Sequence, residues 1–492
     1  MRRKILMGLS NSKVLTFMNE NALINDVSLR FGVIGAGQKG NKDADIFAGY
    51  TYANGKQIYP SLAVNFSKND MLHLKNIPVE DRIHFEDFRG AARTPSLVVE
   101  NFDPQLNPNA DKMRNQLIEA MERKFMDVDH LFICAGAGGG FGTGFISLVL
   151  SLIKEQFFPV PITLLLSSPF DDFTEMSNAI LLLAEIKEFI ELQNELFSPG
   201  QEKPLGSVIL TDNKKLFNDF TTKKENRLNS STLISWKDEG NDAIISTIHE
   251  ANLIPANFGS DNSTYDPSDF IKIVQLSGGF LSIHKASIEA PYESNTLNSK
   301  MRNSIQLGYF SCGHDYETAT MYGGFVLRPS SASIFKDVKT EQTIKQVISE
   351  FNDTAQGKYG DPIWFDEYAV VYTIFSGMTL PSRVVEMTIE YDEMLEKQKQ
   401  VKNKDIELNI SGVMESVKQS TFNPYQKRGA NKFGGGASGG FGGSVFNRKQ
   451  ENQIEEEVAS TTEEISEPNN RFGSNSDDTK PTNVWNKIQN RK

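Results

Sequence analysis

Residues 135–144 read Ala-Gly-Ala-Gly-Gly-Gly-Phe-Gly-Thr-Gly, and this stretch decides the predicted fold class. It follows the apolar run His130–Ala135 and precedes the helical pattern Phe145–Glu155. Five glycines within the seven residues Gly138–Gly144 exceed what a tight turn requires. Glycines at a strand-to-helix junction let consecutive backbone N–H groups form a concave anion site, so the stretch predicts a phosphate-binding loop. No Gly-Lys-Ser/Thr follows, which excludes a Walker A loop.

An earlier loop, Gly35-Ala-Gly-Gln-Lys-Gly-Asn41, has the G-x-G-x-x-G spacing and also lies between a strand and a helix pattern. Taken alone, this spacing is compatible with a tight turn, a phosphate loop or an NAD-binding enzyme of the Rossmann type. The NAD-binding interpretation requires an acidic residue at the end of the next strand. That strand, Ser61–Asn65, ends in an asparagine, so the interpretation loses its ribose anchor and remains an alternative.

Around these loops, β-rich runs alternate with helical patterns from about residue 30 to residue 217. Such alternation predicts an α/β fold with a parallel sheet covered on both faces. The predicted strands are Arg30–Ile34, Ser61–Asn65, Arg82–Phe88, His130–Ala135, Val160–Ser167 and Ser207–Leu210.

The sequence predicts six segments along the chain. They are an N-terminal arm or helix (1–29), a nucleotide-binding domain (30–240), a long central helix (241–257), a smaller α+β domain (258–380), a C-terminal helix (381–402), and a linker with a disordered tail (403–492).

Composition limits the function classes. The 492 residues carry a net charge of −12 and two cysteines, with no apolar run long enough to span a bilayer. We therefore expect a protein of a reducing cytoplasm without a membrane span. Residues 1–426 hold −13 of the charge, which argues against broad DNA binding by the folded part. The tail has basic, acidic and basic blocks. Its glycine-rich basic block, Lys427–Lys449, is either a solubilising tether or a docking segment.

Several ordered motifs together resemble the tubulin/FtsZ superfamily. Gly138–Gly144 is similar to its signature Gly-Gly-Gly-Thr-Gly-Thr-Gly, with Phe141 in place of a threonine. The resemblance covers about residues 30–400 and implies a GTPase that binds GTP or GDP with Mg²⁺, the metal being held mainly by phosphates and water. The nucleotide contacts that it implies are Gly35, Ala36, Gly37, Gln38, Lys39, Gly40, Asn41, Asn65, Gly90, Ala91, Ala92, Arg93, Gly136, Ala137, Gly138, Gly139, Gly140, Phe141, Gly142, Thr143, Gly144, Pro169, Glu175 and Asn241.

Two carboxylates, Asp266 and Asp269, stand three residues apart at a predicted helix start, and therefore on one helix face. From the residues alone, helix capping explains them as well as catalysis does. The resemblance implies that they are catalytic and that they complete the nucleotide site of the next subunit in a filament. Thr264 stands where the family usually has asparagine.

Within the superfamily, Gly90–Pro95, Leu210–Leu216 and His249-Glu250 look most like TubZ, the plasmid and phage branch. This resemblance implies head-to-tail filaments that move plasmid or phage DNA through a DNA-bound adaptor, which the tail would recruit. The alternatives are a phage filament that positions viral assemblies and an FtsZ-like division protein.

Overall fold

The computed structural model describes residues 12–85, 88–225, 235–289, 293–330, 338–364 and 368–419. The chain divides into two units, Met1–Gln400 and Val401–Lys492. Only residues 401–419 of the second unit are described, and they are helical. The part of the predicted linker and tail from residue 420 onwards lies outside the described residues, and it includes all of the charge blocks.

The amino-terminal half of the sheet is parallel, as the alternating pattern predicts. Its strands lie in the order β6-β5-β4-β1-β2-β3. They are β1 (Phe31–Ala36), β2 (Ser61–Asn65), β3 (Arg82–His84), β4 (His130–Gly136), β5 (Ile162–Ser168) and β6 (Leu205–Asp212). The predicted α/β class is confirmed. Strand β3 ends at His84, short of the predicted Phe88.

The helices that surround this half are α1 (Lys13–Glu20), α2 (Gly37–Ala48), α3 (Ser96–Asn101), α4 (Ala110–Lys124), α5 (Gly140–Lys154), α6 (Phe173–Leu196) and α7 (Asn213–Glu225). Helix α5 begins five residues earlier than predicted, because Gly142 and Gly144 let its first turns approach other backbone closely. A Cβ at Gly144 would lie 2.2 Å from the Pro95 carbonyl oxygen.

The remaining elements form the other half of the same sheet. They are α8 (Trp236–Asn257), α9 (Pro267–Gln275), β7 (Gly279–Ile288), α10 (Ser294–Leu307), β8 (Met321–Pro329), α11 (Val338–Phe351), β9 (Gln356–Gly360), β10 (Ile363–Trp364), β11 (Ala369–Met378) and α12 (Arg383–Gln419). Strand β7 joins the parallel half next to β6, and β11 runs antiparallel between β7 and β8. The sheet is thus continuous across residue 258, and the division into domains there stays a prediction.

Two helix boundaries differ from the prediction. Helix α8 begins at Trp236 rather than Asn241, because Ser235 caps it by accepting a hydrogen bond from the backbone N–H of Lys237. Helix α12 continues to Gln419, where the prediction placed a linker from residue 403. The sequence contains no proline between Arg383 and Gln419, so nothing in the backbone forces α12 to end earlier.

The central helix α8 is buried along most of its length, and a buried carboxylate joins it to the second half of the sheet. Glu250 has no solvent exposure. It accepts a hydrogen bond from Tyr372 Oη at 2.5 Å, and Lys285 Nζ lies 2.5 Å from the same carboxylate oxygen. Its other oxygen accepts from Ser12 Oγ, at the start of α1. Since an unpaired buried charge is strongly destabilising, these contacts fix α8 against β7, β11 and α1.

Within the described residues, no helix combines the length and the apolar character that crossing a bilayer requires.

Candidate functional site

A cavity of about 450 Å³ opens at the carboxyl ends of the parallel strands. Ala36, Asn65, Gly136 and Ser167, at or next to the ends of β1, β2, β4 and β5, line it. Strand β1 has β2 and β3 on one side and β4, β5 and β6 on the other, so the strand order reverses direction at β1. Such a point in a parallel α/β sheet is where ligands bind, because the connecting loops diverge and leave a crevice.

The first glycine-rich loop forms one wall of the cavity. Helix α2 begins at Gly37, which has φ +70°, a conformation that favours glycine. Gly37, Gln38 and Lys39 line the cavity together with Ala36. Gly35 and Gly40 do not line it. A Cβ at Gly40 would lie 1.8 Å from the Cys134 carbonyl oxygen, so this glycine allows α2 to pack closely against β4.

The second glycine-rich loop lines the cavity next to the first, since a Cβ at Gly37 would lie 3.1 Å from the Gly142 nitrogen. Helix α5 begins at Gly140, and its N-cap residue Gly139 has φ −71° and ψ 171°. A Cβ at Gly139 would meet no atom within 4 Å, so its backbone faces open space in the cavity. Gly136, Gly138, Gly140, Phe141 and Gly142 also line the cavity, whereas Ala137, Thr143 and Gly144 do not.

Phe141, the departure from the family signature, has a structural explanation. Its side chain is 5% exposed and packs against Phe66 and Phe145, at ring-centroid distances of 4.8 and 5.7 Å. Phe66 in turn stacks on Phe88 at 4.0 Å. The phenylalanine ring therefore belongs to an aromatic cluster, and the residue retains the helical backbone that the first turn of α5 requires.

The charges on the cavity wall favour an anionic ligand. Lys39, Lys42, Arg89, Arg93 and Lys237 line it, against the two carboxylates Asp70 and Glu175. The amino-terminal ends of α2 and α5 both contribute to the wall, and neither helix has a side-chain cap. Their free backbone N–H groups and positive dipole ends add to the attraction for phosphate. The cavity is thus positive within a chain of net charge −12.

A third loop, Gly90–Arg93, closes the cavity in a strained conformation. Gly90, Ala92 and Arg93 have φ values of 133°, 45° and 60°. Non-glycine residues in this region cost roughly 1–3 kcal/mol each, and surrounding contacts must hold them there. Here Arg93 Nη1 lies 2.8 Å from Asp172 Oδ2 and Arg93 Nη2 lies 3.7 Å from Glu175 Oε1. The cavity is lined by six further residues that the sequence predicts to contact nucleotide: Gly90, Ala91, Ala92, Arg93, Pro169 and Glu175.

The three predicted asparagines have different surroundings. Asn241, on the second turn of α8, lines the cavity and is 4% exposed. Asn65 also lines it and donates from Nδ2 to Asp70 at 3.0 Å. Asn41 does not line the cavity. Its carboxamide accepts from the backbone N–H of Val64 at 3.1 Å, which ties α2 to β2; its contact with nucleotide stays a prediction.

Sequence reasoning missed seven lining residues: Lys42, Ser67, Asp70, Arg89, Ser167, Asn213 and Lys237. Periodicity could have found two of them. Lys42 lies four residues after Gln38 on α2, and Lys237 lies four residues before Asn241 on α8, so each shares a helix face with a predicted contact. Asn213 directly follows β6 and could have been found from its place at a strand end.

The two acids lie elsewhere in the subunit. Asp266 caps α9 by accepting from the backbone N–H groups of Ser268 and Asp269, and Asp269 accepts from the backbone N–H of Asp266 at 3.1 Å. The hydrogen bond from the Ser268 hydroxyl is the main cause that lowers the pKa of the Asp266 carboxyl, so it is ionised at neutral pH. Lys358 Nζ lies 3.2 Å from Asp269 Oδ2.

Helix α9 lies at the edge of the sheet opposite to the cavity. Gln275 donates from Nε2 to the carbonyl of Asp129, just before β4, at 3.2 Å. Its own carbonyl accepts from Lys203, which precedes β6, at 3.3 Å. The Ile273 carbonyl accepts from Ser376, which pairs with the starts of β7 and β8. Neither Asp266 nor Asp269 lines the cavity.

In the described part of the chain, no three His, Cys, Asp or Glu side chains are grouped so that they could hold a metal ion. The cavity wall carries two carboxylates, and one of them faces Arg93. This donor set does not suit a metal held by protein ligands alone. It fits a cation held mainly by nucleotide phosphates and water.

A parallel sheet with two glycine-rich helix starts on a cationic cavity is the arrangement of a tubulin/FtsZ-type GTPase domain. Residues 32–194 match the model of the tubulin/FtsZ family GTPase domain, and residues 250–388 match the C-terminal domain of TubZ-like proteins.

Among curated relatives, the tubulin-like protein TubZ of Bacillus thuringiensis subsp. israelensis is 47% identical over 481 residues, covering 94% of this chain and 99% of the relative. A GTPγS-form protofilament of TubZ from B. thuringiensis serovar israelensis is similar with a TM-score of 0.76 and 49% identity, over 80% of this chain and 99% of that one. A structure described as type III plasmid segregation TubZ has a TM-score of 0.75 and 49% identity, over 80% and 99%. The chain belongs to the TubZ family of tubulin-like proteins. This membership confirms the superfamily and branch predicted from the motifs. It contradicts the alternative of an NAD-binding enzyme of the Rossmann type.

Proposed function

We propose that this protein is a GTPase that polymerises head to tail, and that each subunit supplies the acids that hydrolyse the nucleotide of its neighbour. The observation that carries the proposal is the separation of the two parts of the site. The cavity lies at the carboxyl edge of the parallel strands, and Asp266 and Asp269 lie at the opposite edge.

A head-to-tail contact brings opposite edges of successive subunits together, and such contacts generate filaments when they do not close into a ring. In this arrangement α9 of one subunit faces the cavity of the next. Two solved TubZ structures support filament formation, since one is a GTPγS-form protofilament and the other a helical model of a two-stranded filament.

Several groups on the cavity wall have separate roles in binding the nucleotide and transferring its phosphoryl group. The backbone N–H groups at the starts of α2 and α5 hold the phosphates, and Lys39, Arg89 and Arg93 offset their charge. Bound Mg²⁺ would neutralise the charge that develops on the phosphates. Asp266 and Asp269 of the neighbouring subunit orient a water in line with the γ-phosphate. Asn241 contacts the base, and Glu175 lies near the ribose.

GTP turnover per subunit is expected to rise with protein concentration. The cavity of a free subunit lacks the Asp266 and Asp269 of a neighbour, so hydrolysis should begin only above the concentration at which filaments form. Phosphate release measured over a dilution series should therefore give a threshold, and the same threshold should appear in light scattering. A specific activity that stays constant through all dilutions contradicts hydrolysis across an interface.

We further propose that the filaments move plasmid DNA in the bacterial cytoplasm through a DNA-bound adaptor that binds the tail. A relative described as type III plasmid segregation TubZ supports the role. The body of the chain is acidic, whereas Lys427–Lys449 carries five basic residues and no acid. The positive charge of this basic segment would attract it to the DNA phosphates of a DNA-bound complex.

Ending the chain at Gln419 is expected to leave GTP turnover and polymerisation within about twofold of the full chain, because every cavity residue and both acids remain. Loss of the replicon that carries the gene should rise to the rate seen without the gene. Plating assays over many generations without selection measure this rate. Stable inheritance with the shortened chain contradicts a docking role for the tail.

A further inference from the structure

The loop before the two acids is held in place by a polar cluster centred on Asp361, which follows β9. Asp361 Oδ1 accepts from the backbone N–H of Ser263 at 2.8 Å and from Ser260 Oγ. In return, the backbone N–H of Asp361 donates to the Ser263 carbonyl at 2.9 Å. Ser263 Oγ also donates to the Tyr359 carbonyl at 2.7 Å. The loop is therefore bound to β9 and the residue after it through both backbone and side chains.

A buried arginine supports the other side of Asp361. Arg328 has no solvent exposure, and its Nε lies 3.2 Å from Asp361 Oδ2. Its Nη2 bonds to Asp261, in the same loop. Asp361 thus binds the loop through Oδ1, and its Oδ2 accepts from the buried guanidinium and from Asn262 Nδ2 at 3.4 Å. A charge pair in this position is costly to disturb, because both groups are buried.

The end of the loop is fixed by close packing. Tyr265, directly before Asp266, is 2% exposed and lies against two glycines. A Cβ at Gly360 would come within 2.5 Å of the Tyr265 backbone nitrogen, and one at Gly323 within 2.8 Å of Tyr265 Oη. Strand β9 also carries Lys358, which pairs with Asp269. The same edge strand and the residue that follows it therefore hold the loop, its last residue and one of the acids.

We propose that Asp361 is a positioning residue for GTP hydrolysis, which fixes the loop before Asp266 so that the two acids meet the neighbouring subunit's nucleotide at a set distance. The inference rests on the proposed function. Asp361 does not reach the nucleotide of its own subunit, since it does not line the cavity. Its effect is on the rate of the chemical step, because a misplacement of about 1 Å can cost about 100-fold in rate.

Asp361→Asn tests the proposal, since asparagine can still accept from Ser263 but lacks the negative charge that pairs with Arg328 Nε. We expect turnover per assembled subunit to fall by at least about tenfold at saturating GTP. The affinity of the unassembled subunit for GTPγS and the critical concentration with GTPγS should stay within about twofold. Amide hydrogen exchange of residues 259–266 should become faster. A purely structural role would instead weaken assembly and nucleotide binding together.

Ser263→Gly provides a second variant that leaves all charges in place, in case Asp361→Asn does not fold. It removes the bond to Tyr359 and loosens the loop, so it should lower turnover in the same way. Ser198→Gly, in an exposed turn outside the cavity lining, is the matched control. Faster exchange in the loop with wild-type turnover in either variant overturns the inference. If Asp266→Asn also turns over normally, the proposed function fails as well; if it is inactive, only the role of Asp361 fails.

Discussion

Asp266→Asn is expected to lower GTP turnover per assembled subunit by about 100-fold or more, the range for loss of a group that directs proton transfer or water. Asparagine caps helices about as well as aspartate, so α9 should keep its start and the subunit its fold. What the variant loses is the negative charge. Filaments should still form with GTP, and they should persist because their nucleotide is not hydrolysed. Phosphate release and sedimentation after a GTP chase measure the two effects.

Asp315→Asn provides the matched control. Asp315 is also an N-cap aspartate, of the one-turn helix Tyr316–Thr318, and it does not line the cavity. Its substitution makes the same change of charge at another helix start, and Asp315 is neither a cavity residue nor one of the two proposed acids, so turnover should match the wild type. Normal turnover and rapid disassembly of Asp266→Asn filaments would show that Asp266 serves α9 as a cap and has no part in hydrolysis.

Gly139→Leu is expected to abolish nucleotide binding while the fold is retained. The backbone at Gly139 has φ −71°, which any residue adopts, and a Cβ there meets no atom within 4 Å. A leucine side chain would therefore enter the cavity without clashing, and it would occupy the space where the phosphates bind. We expect the affinity for GTPγS to fall at least about 100-fold, equivalent to about 2.7 kcal/mol. The helix cap changes by about 1 kcal/mol or less, so thermal unfolding should shift by only a few degrees.

Substitutions at two other glycines provide comparisons for Gly139→Leu. Gly259→Leu also places a side chain in open space, but away from the cavity, so nucleotide affinity should not change. Gly35→Leu should unfold the protein, because a Cβ at Gly35 would lie 2.5 Å from the Gly40 carbonyl oxygen. Isothermal titration with GTPγS and thermal unfolding separate the three variants. Unchanged GTPγS affinity in Gly139→Leu would mean that phosphates do not bind at this loop.

Strand and helix order could be predicted from the sequence because it depends on local patterns. Strand β2 has the predicted bounds, Ser61–Asn65, since its apolar run begins after Pro60 and ends at an asparagine. Boundaries failed where a cap or a close contact decided them. Ser235 starts α8 a turn early, and α5 starts early because its glycines pack against backbone far away in the sequence.

The glycine-rich loops show the same limit inside the site. Their spacing predicted two phosphate loops, and both line one cavity. The spacing could not separate the glycines that face the cavity, such as Gly139, from those that allow close packing, such as Gly40. That distinction depends on which strand lies behind each residue, and this is a property of the assembled sheet.

The sequence by itself predicted the family, which the relatives confirm, and it also predicted two phosphate loops and two catalytic acids, because these depend on residue types at short spacings. Only the tertiary structure decided what each polar group binds. The Asn41 carboxamide accepts from the backbone of Val64, 23 residues away, and no local pattern predicts that bond. Asp361 holds a loop about 100 residues earlier, and no local pattern indicates it. A buried polar side chain takes the partner that folding brings within hydrogen-bonding distance, and distant parts of the chain meet only after the core has formed.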